Sequence, residues 1–432
     1  MKKKKQETFV TPETGKCSRM FRLFNTLTRK YEPFKSLRSK KIKMYSCGPS
    51  TYMRPHIGNY RTFLFEDVLQ RYLEYLGHPV LRLMTLTDVE DKAIAEAKKE
   101  HISLEKLTSR NEAQLFKDFE LLRIKVPDYL VRASTVVNQS ARLAKMLLEK
   151  GYAYWHLHEG RRNAYFDPSK FQGFGKLAHL DMSKWPKRKR RFHKDTYPGT
   201  PWNRGDFVLW HGCKEGDVCW ETEIGKGRPA WNIQDAAIVT EHLGFTVDIA
   251  AGGIDNLARH HDYTLAVTEA VSNEKLANFW LHGATLFVNG SKMSKSKGNV
   301  IYPDGLAAKA YTGDQIRFFL ICRHYRRNLN FTFEKLDAAR RRLDGFKSMV
   351  QDLGKAESSK PSEEAKKLVC SIVPCFDDAM KDDLNVKGAF DCLFDIVSKL
   401  DRLNKKGRLS AQDAKSALEE LARVDAVLRV VF

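Results

Sequence analysis

The sequence predicts an α/β protein built on a parallel sheet, with an α-helical bundle at its C-terminal end. Three observations predict it. First, KIKMYSC (41–47), YRTFLFEDVLQRYLEYLG (60–77) and VLRLMTL (80–86) read as strand, helix and strand. The strands carry apolar runs, and the helix places Phe65, Leu69, Tyr72, Leu73 and Leu76 at helical spacing before Gly77 and Pro79 stop it. Two strands joined by a helix pair in parallel, so this unit begins a Rossmann-like sheet. Second, FTVDIA (245–250) is a further strand that runs into a glycine pair. Third, beyond about residue 330 the chain turns helical and charged.

Each element follows in order. Residues 103–150 read as helices, with a stripe such as Leu115, Phe119 and Leu122. From about 151 to 228 the pattern is short, irregular and rich in Gly, Pro and Trp. It reads as an insertion, whose outer limits are placed at about 120–228. ATLFV and SKMS flank Asn289–Gly290, a pair that favours a two-residue hairpin turn. In the last part, TFEKLDAARRRLDGFKSMV, EEAKKLVCSIVPCFDDAM, VKGAFDCLFDIVSKLDRL and SAQDAKSALEELARVDAVLRVV predict four helices. Ser410 with Asp413 reads as a capping pair. The predicted organisation is a basic tail over 1–20, a sheet domain over 21–330 and a bundle over 331–432.

Length and charge narrow the function. At 432 residues the chain is long for one domain. It has no run of eighteen apolar residues, so no membrane span is expected. The basic start, MKKKKQETFV, has no apolar run behind it and is not a signal peptide. Eight scattered cysteines without a CxxC predict no disulfide scaffold and a cytoplasmic setting. Lys plus Arg number 74 against 53 Asp plus Glu, a net charge of +21 that favours a polyanionic partner such as nucleic acid. Part of that charge sits in KWPKRKRRFHK (184–194) and ARRRLDGFK (339–347).

Two motifs carry chemistry. PHIGN (55–59) lies between a strand and a helix N-terminus, where backbone N–H groups favour anions. Gly58 lets a base approach the backbone, and His56 is a donor toward phosphate. SKMSKSKGN (291–299) places Lys292 and Lys295 three apart in a small-residue loop. Such a loop can close on a polyphosphate as pyrophosphate leaves.

HxGN early and KMSKS late, in that order around a βαβ unit, resemble the class I aminoacyl-tRNA synthetases. CGPSTYMRPHIGNYRTF (47–63), TLTDVEDKA (85–93), DFVLW (206–210), GRPAWNIQ (227–234) and GGIDNLARHH (252–261) resemble the cysteinyl-tRNA synthetases in particular. So do LFNTLTRKYEPF (23–34) and DDAMKDDLN (377–385), so the resemblance runs from about residue 21 to the end. It implies an ATP- and Mg²⁺-dependent ligase that forms an aminoacyl-adenylate and transfers it to tRNA. It implies nucleotide-site roles for Gly48, His56, Gly58, Asn59, Gly253, Asp255 and Lys295. His56, Asn59, Lys292 and Lys295 are the implied catalytic set. Cys47, Thr87, Trp231, Asp235, His260 and Thr264 are the implied substrate pocket.

The sequence departs from the family in that pocket. The family reads its substrate thiol with a zinc ion on two Cys, one His and one Glu. Cys47 and His260 match two of these positions. Asp235 replaces the second Cys, and Thr264 replaces the Glu. Asn232 and Ala250 stand where the family has histidines. Asp235 therefore has three roles open to it: a zinc ligand with Cys47 and His260, a partner for an amino acid's positive group, or a partner for a neighbouring Arg or His. The family also extends past the bundle into an anticodon-binding domain, which this sequence is expected to lack. The cysteine ligase of mycothiol synthesis shares that shortening and uses no tRNA. A tRNA-independent ligase acting on a small amine, and a non-catalytic paralogue, are the alternative readings.

Overall fold

A computed structural model describes residues 20–37, 41–158, 160–184, 205–294 and 297–432. Residues 1–19 of the basic tail, 185–194 of the basic run, and Lys295 lie outside the described residues.

Five parallel strands form the central sheet, in the spatial order Ala277–Gly283, Val247–Gly253, Ile42–Ser46, Val80–Leu86, Tyr129–Arg132. The side chains of the first four are almost all buried, as strands covered on both faces require, whereas of the edge strand Tyr129–Arg132 only Val131 is buried. The helix Ile57–Tyr75 crosses from the middle strand to Val80–Leu86 and buries Leu64, Val68, Leu69 and Tyr72. The chain leaves Ile42–Ser46 toward one side, while Val247–Gly253 lies on its other side. The strand order reverses between these two strands, and a crevice opens beyond their carboxyl ends.

One expectation needs correcting. Residues 103–150 are not all helical: Tyr129–Arg132 is the edge strand of the sheet, between the helices Leu104–Leu121 and Val137–Glu149. Its four residues are too few to show periodicity, and pairing with Leu83–Leu86 decides their conformation. After it, Ala153–His158, Arg161–Phe166, Phe207–Gly212 and Gly227–Pro229 make a separate antiparallel sheet.

Leu286–Val288 turns back onto Ser291–Lys292 through Asn289 and Gly290, both at positive φ (48° and 77°). That is the predicted hairpin. The four C-terminal helices are Phe333–Leu353, Glu363–Met380, Val386–Lys405 and Ala411–Leu428. Ser410 caps the last one by accepting from the Asp413 N–H (3.0 Å). A buried arginine joins bundle to sheet: Arg317 donates to Asp67 on the first helix (2.6 Å) and to the Leu428 carbonyl (2.6 Å).

Two cysteine pairs lie close together, Cys213 with Cys219 and Cys375 with Cys392. The second pair joins two neighbouring helices of the bundle, a proximity that spacing along the chain cannot reveal. Among the described residues no helix is long and apolar enough to cross a membrane.

Candidate functional site: a nucleotide cleft and a buried polar cluster

The crevice at the strand reversal is a cleft of about 160 Å³. Cys47 and Gly48 enter it directly after the strand Ile42–Ser46. Gly253 and Asp255 enter it at the end of the neighbouring strand. His56, Gly58 and Asn59 come from the start of the first helix, and Lys292 from the hairpin. Residues spread over almost 250 positions thus meet on one opening.

His56 is the N-cap of the helix Ile57–Tyr75. Its Nδ1 accepts from the Asn59 N–H (3.4 Å), and its own N–H donates to Asn59 Oδ1 (3.0 Å). Two otherwise orphaned donors are satisfied reciprocally. With Nδ1 accepting, a neutral His56 carries its proton on Nε2. Burial lowers the pKa of His56 and so favours that neutral form. Asn59, implied as a catalytic residue, has its side-chain oxygen engaged in holding His56.

Glycine is required at position 48 by close approach. A Cβ there would lie 1.8 Å from the Thr85 carbonyl oxygen. Lys292 is exposed at the cleft mouth. Asn299 staples the loop after it, donating to the Lys292 carbonyl (3.1 Å) and accepting from the Ser294 N–H (2.9 Å).

Behind Cys47 lies a buried polar cluster. Asp235 is 1% exposed. Its Oδ2 accepts from the Tyr45 hydroxyl, from Thr85 Oγ1 (3.2 Å) and bonds His260 Nε2 (2.8 Å). Burial pushes the Asp235 pKa up, but the His260 charge and the hydrogen bonds from His260, Tyr45 and Thr85 outweigh it and hold the carboxyl below its usual value. Burial, then the Asp235 charge, pushes the Cys47 thiol well up. The bond to His260 corresponds to the third role open to Asp235, pairing with a neighbouring His.

Sequence reasoning missed Tyr45, Thr85 and Asn256. Asn256 Nδ2 lies 3.4 Å from Cys47 Sγ and lines the same cleft. The alternation of KIKMYSC held a signal for Tyr45, since Tyr45 and Cys47 stand two apart on one strand path. Thr87, by contrast, serves through its backbone: its carbonyl accepts from the Thr51 N–H (2.9 Å) and hydroxyl (3.1 Å). Trp231 is among the residues implied for the substrate pocket. It is 37% exposed, because it opens the helix Trp231–His242 at the surface, and its ring stacks on His260 (4.8 Å, 3°). Asn232 is turned to the inserted sheet, donating to the Val208 carbonyl (3.0 Å).

The four-ligand zinc set that the resemblance implies is incomplete in these residues, although Asp235 Oδ1, His260 Nδ1 and His261 Nε2 are buried without hydrogen-bond partners among the described residues. Thr264 donates its hydroxyl to the His260 carbonyl one turn back (2.9 Å) and supplies no metal donor. Two atoms on one tetrahedral zinc, each about 2.0–2.1 Å from it, sit about 3.3 Å apart. Asp235 Oδ2 and His260 Nε2, at 2.8 Å, are hydrogen-bonded to each other instead. The donor atoms that do gather are those of Cys47, His260 and His261, within 4.8 Å of one another. His261 is further held by His282 (Nδ1 to Nε2, 2.8 Å).

Comparison with known proteins agrees with this geometry. The family described as "tRNA synthetases class I (C) catalytic domain" matches residues 33–341, and a "DALR domain" matches 375–429. A cysteine–tRNA ligase of Chlamydia pneumoniae is 37% identical over 413 residues, covering 94% of this chain and 86% of the relative. One of Brachyspira hyodysenteriae is 36% identical over 94% and 85%. In fold, the chain resembles a Mycobacterium tuberculosis methionyl-tRNA synthetase in complex with methionyl-adenylate (TM-score 0.64, 15% identity, 91% and 90% covered). It also resembles the LeuRS–tRNA–LeuAMS complex of Agrobacterium radiobacter (TM-score 0.66, 11% identity, 92% and 85% covered). With a family match that spans the parallel sheet, its insertion and the cleft between His56 and Lys292, the chain belongs to the cysteine–tRNA ligase family of the class I tRNA synthetases.

Proposed function

We propose that this protein is an ATP-dependent ligase that activates an amino acid as its adenylate and transfers it to tRNA in the cytoplasm. The observation that carries the reading is the convergence of His56, Asp255 and Lys292 on one cleft whose inner wall is Cys47.

ATP enters as its magnesium complex and is a substrate, not a resident group. The amino-acid carboxylate attacks the α-phosphorus in line; an oxygen–phosphorus bond forms and the bond to pyrophosphate breaks. His56 donates from Nε2 to a phosphate oxygen, because Nδ1 is committed to Asn59. Lys292, with Lys295 beside it in sequence, neutralises the charge that builds on the departing pyrophosphate. Gly58 and Gly253 keep the cleft floor free of side chains, and Asp255 is placed to hold the ribose. A terminal ribose hydroxyl of tRNA then attacks the activated carbonyl carbon and releases AMP. No enzyme nucleophile is needed. The excess of Lys and Arg over the whole chain favours the polyanionic acceptor.

The test is ATP–pyrophosphate exchange with each common amino acid, followed by aminoacylation of tRNA. Exchange followed by charging of tRNA is the expected result. Exchange with no transfer to tRNA overturns the tRNA half of the reading and favours the small-amine alternative. No exchange, with or without tRNA, overturns the activation itself.

A further inference from the structure

The amino-acid end of the cleft is built from an unusual set of groups. Cys47 is its wall, with Asn256 donating toward the thiol (3.4 Å). Asp235 lies behind, its Oδ2 saturated by Tyr45, Thr85 and His260. Its other oxygen, Oδ1, is buried and has no hydrogen-bond partner among the described residues. An unsatisfied buried acceptor costs about 1–3 kcal/mol, more when charged, and a ligand that donates to it recovers that energy. Three donors hold the carboxylate rigid directly behind Cys47, the residue that lines the cleft.

We propose that this pocket works without zinc and reads its amino acid by hydrogen bonding to the Asp235 carboxylate, so that it takes a small amino acid whose side chain ends in an N–H or O–H donor. The inference rests on the activation reading above. A soft metal is what gives a thiol its advantage over a hydroxyl. Once the second thiolate is a carboxylate bound to His260, and the fourth ligand is a threonine bound to its own helix, that advantage is gone. A hydroxyl, as in serine, or an amine, as in 2,3-diaminopropionate, donates to a carboxylate more strongly than a thiol does. Acidic side chains are repelled by the Asp235 carboxylate and are excluded. Apolar ones leave Oδ1 orphaned, the situation in which polar sites discriminate most sharply.

The full chain, produced with added zinc, is assayed for metal by mass spectrometry. It is then assayed for exchange with serine, 2,3-diaminopropionate, cysteine and 2-aminobutyrate, with and without a zinc-selective chelator and with magnesium in excess. The expected result is below about 0.1 zinc per chain. Exchange is unaffected by the chelator, serine or 2,3-diaminopropionate matches or exceeds cysteine, and 2-aminobutyrate is slower by about 10²-fold or more. A double variant, Asp235→Cys with Thr264→Glu, is expected to raise zinc toward one per chain. Stoichiometric zinc on the unmodified protein, lost in Cys47→Ser or His261→Ala, overturns the proposal in favour of a three-donor metal site. So does exchange that is confined to cysteine and abolished by the chelator, or a 2-aminobutyrate rate equal to that of the donors. A double variant that takes up no zinc overturns the assignment of these two positions as the cause. If no amino acid supports exchange, with tRNA present, the activation reading fails and the substrate half falls with it, while zinc content still decides the metal half.

Discussion

His56 and Asn59 hold each other across the first turn of one helix: the Asn59 N–H donates to His56 Nδ1, and the His56 N–H to Asn59 Oδ1. The His56 ring that lines the cleft is therefore oriented by Asn59.

Asn59→Ala removes half of the reciprocal cap. The expected cost is about 1 kcal/mol of stability, read as a lowered Tm. Exchange falls as well, through kcat more than through the KM for ATP, because His56 loses its fixed ring orientation. His56→Ala is expected to lower exchange by about 10²–10³-fold. Equal rates for wild type and His56→Ala would remove His56 from the mechanism.

Lys292 is exposed at the cleft mouth and carries no structural burden there. Lys292→Ala is expected to slow adenylate formation by about 10²-fold with Tm unchanged. Pre-steady-state measurement of adenylate formation, alongside a thermal melt, separates the two effects.

Asp235→Ala strands the Tyr45 hydroxyl, the Thr85 hydroxyl and His260 Nε2 in a buried site. The expected loss is about 3 kcal/mol, measured by chemical denaturation. Thr264→Val, which removes one hydroxyl and leaves the Asp235 bonds to Tyr45, Thr85 and His260 in place, is expected to cost less.

Acid should destabilise the protein through its buried histidines. Burial lowers His282 to about 3 and His261 well below the usual range, and burial together with nearby Arg228 lowers His211 to about 4. Above the unfolded value of about 6.5 neither state binds these protons. As pH falls below it, the unfolded chain protonates first, so each such histidine removes about 1.4 kcal/mol per pH unit until its folded pKa is reached. Denaturation midpoints at pH 7.5, 6 and 5 should fall in that order, and His282→Gln should flatten the slope. Glu66, pushed up to about 7 by burial, acts with the opposite sign as pH rises from about 4.5 to 7, so the histidine contribution is read from the change of slope in His282→Gln, and an unchanged slope would contradict it.

Gly48 approaches Thr85 too closely for any side chain. Gly48→Ala must push apart the strand ends that place Cys47 and Thr85, so loss of exchange together with a lowered Tm is expected. Gly290→Ala, at the open hairpin turn with φ of 77°, is expected to cost only about 1 kcal/mol and to spare exchange.

The chain's local patterns determined much of this protein by themselves. Apolar runs and helical spacing mark the βαβ start, Asn289–Gly290 marks the hairpin, and four amphipathic stripes mark the bundle, because those signals reflect backbone preference and one-sided burial over a few turns. The motifs PHIGN and SKMSKSKGN likewise point to one cleft, and His56, Gly58, Asn59, Lys292 and Met293 line it together. What only tertiary structure decided is what Asp235 touches. Tyr45, Thr85 and His260 reach it from separate strands and a helix, and no spacing in sequence encodes that convergence. The edge strand Tyr129–Arg132 and the Cys375–Cys392 pair were hidden for the same reason: each depends on a neighbour supplied by a distant part of the chain.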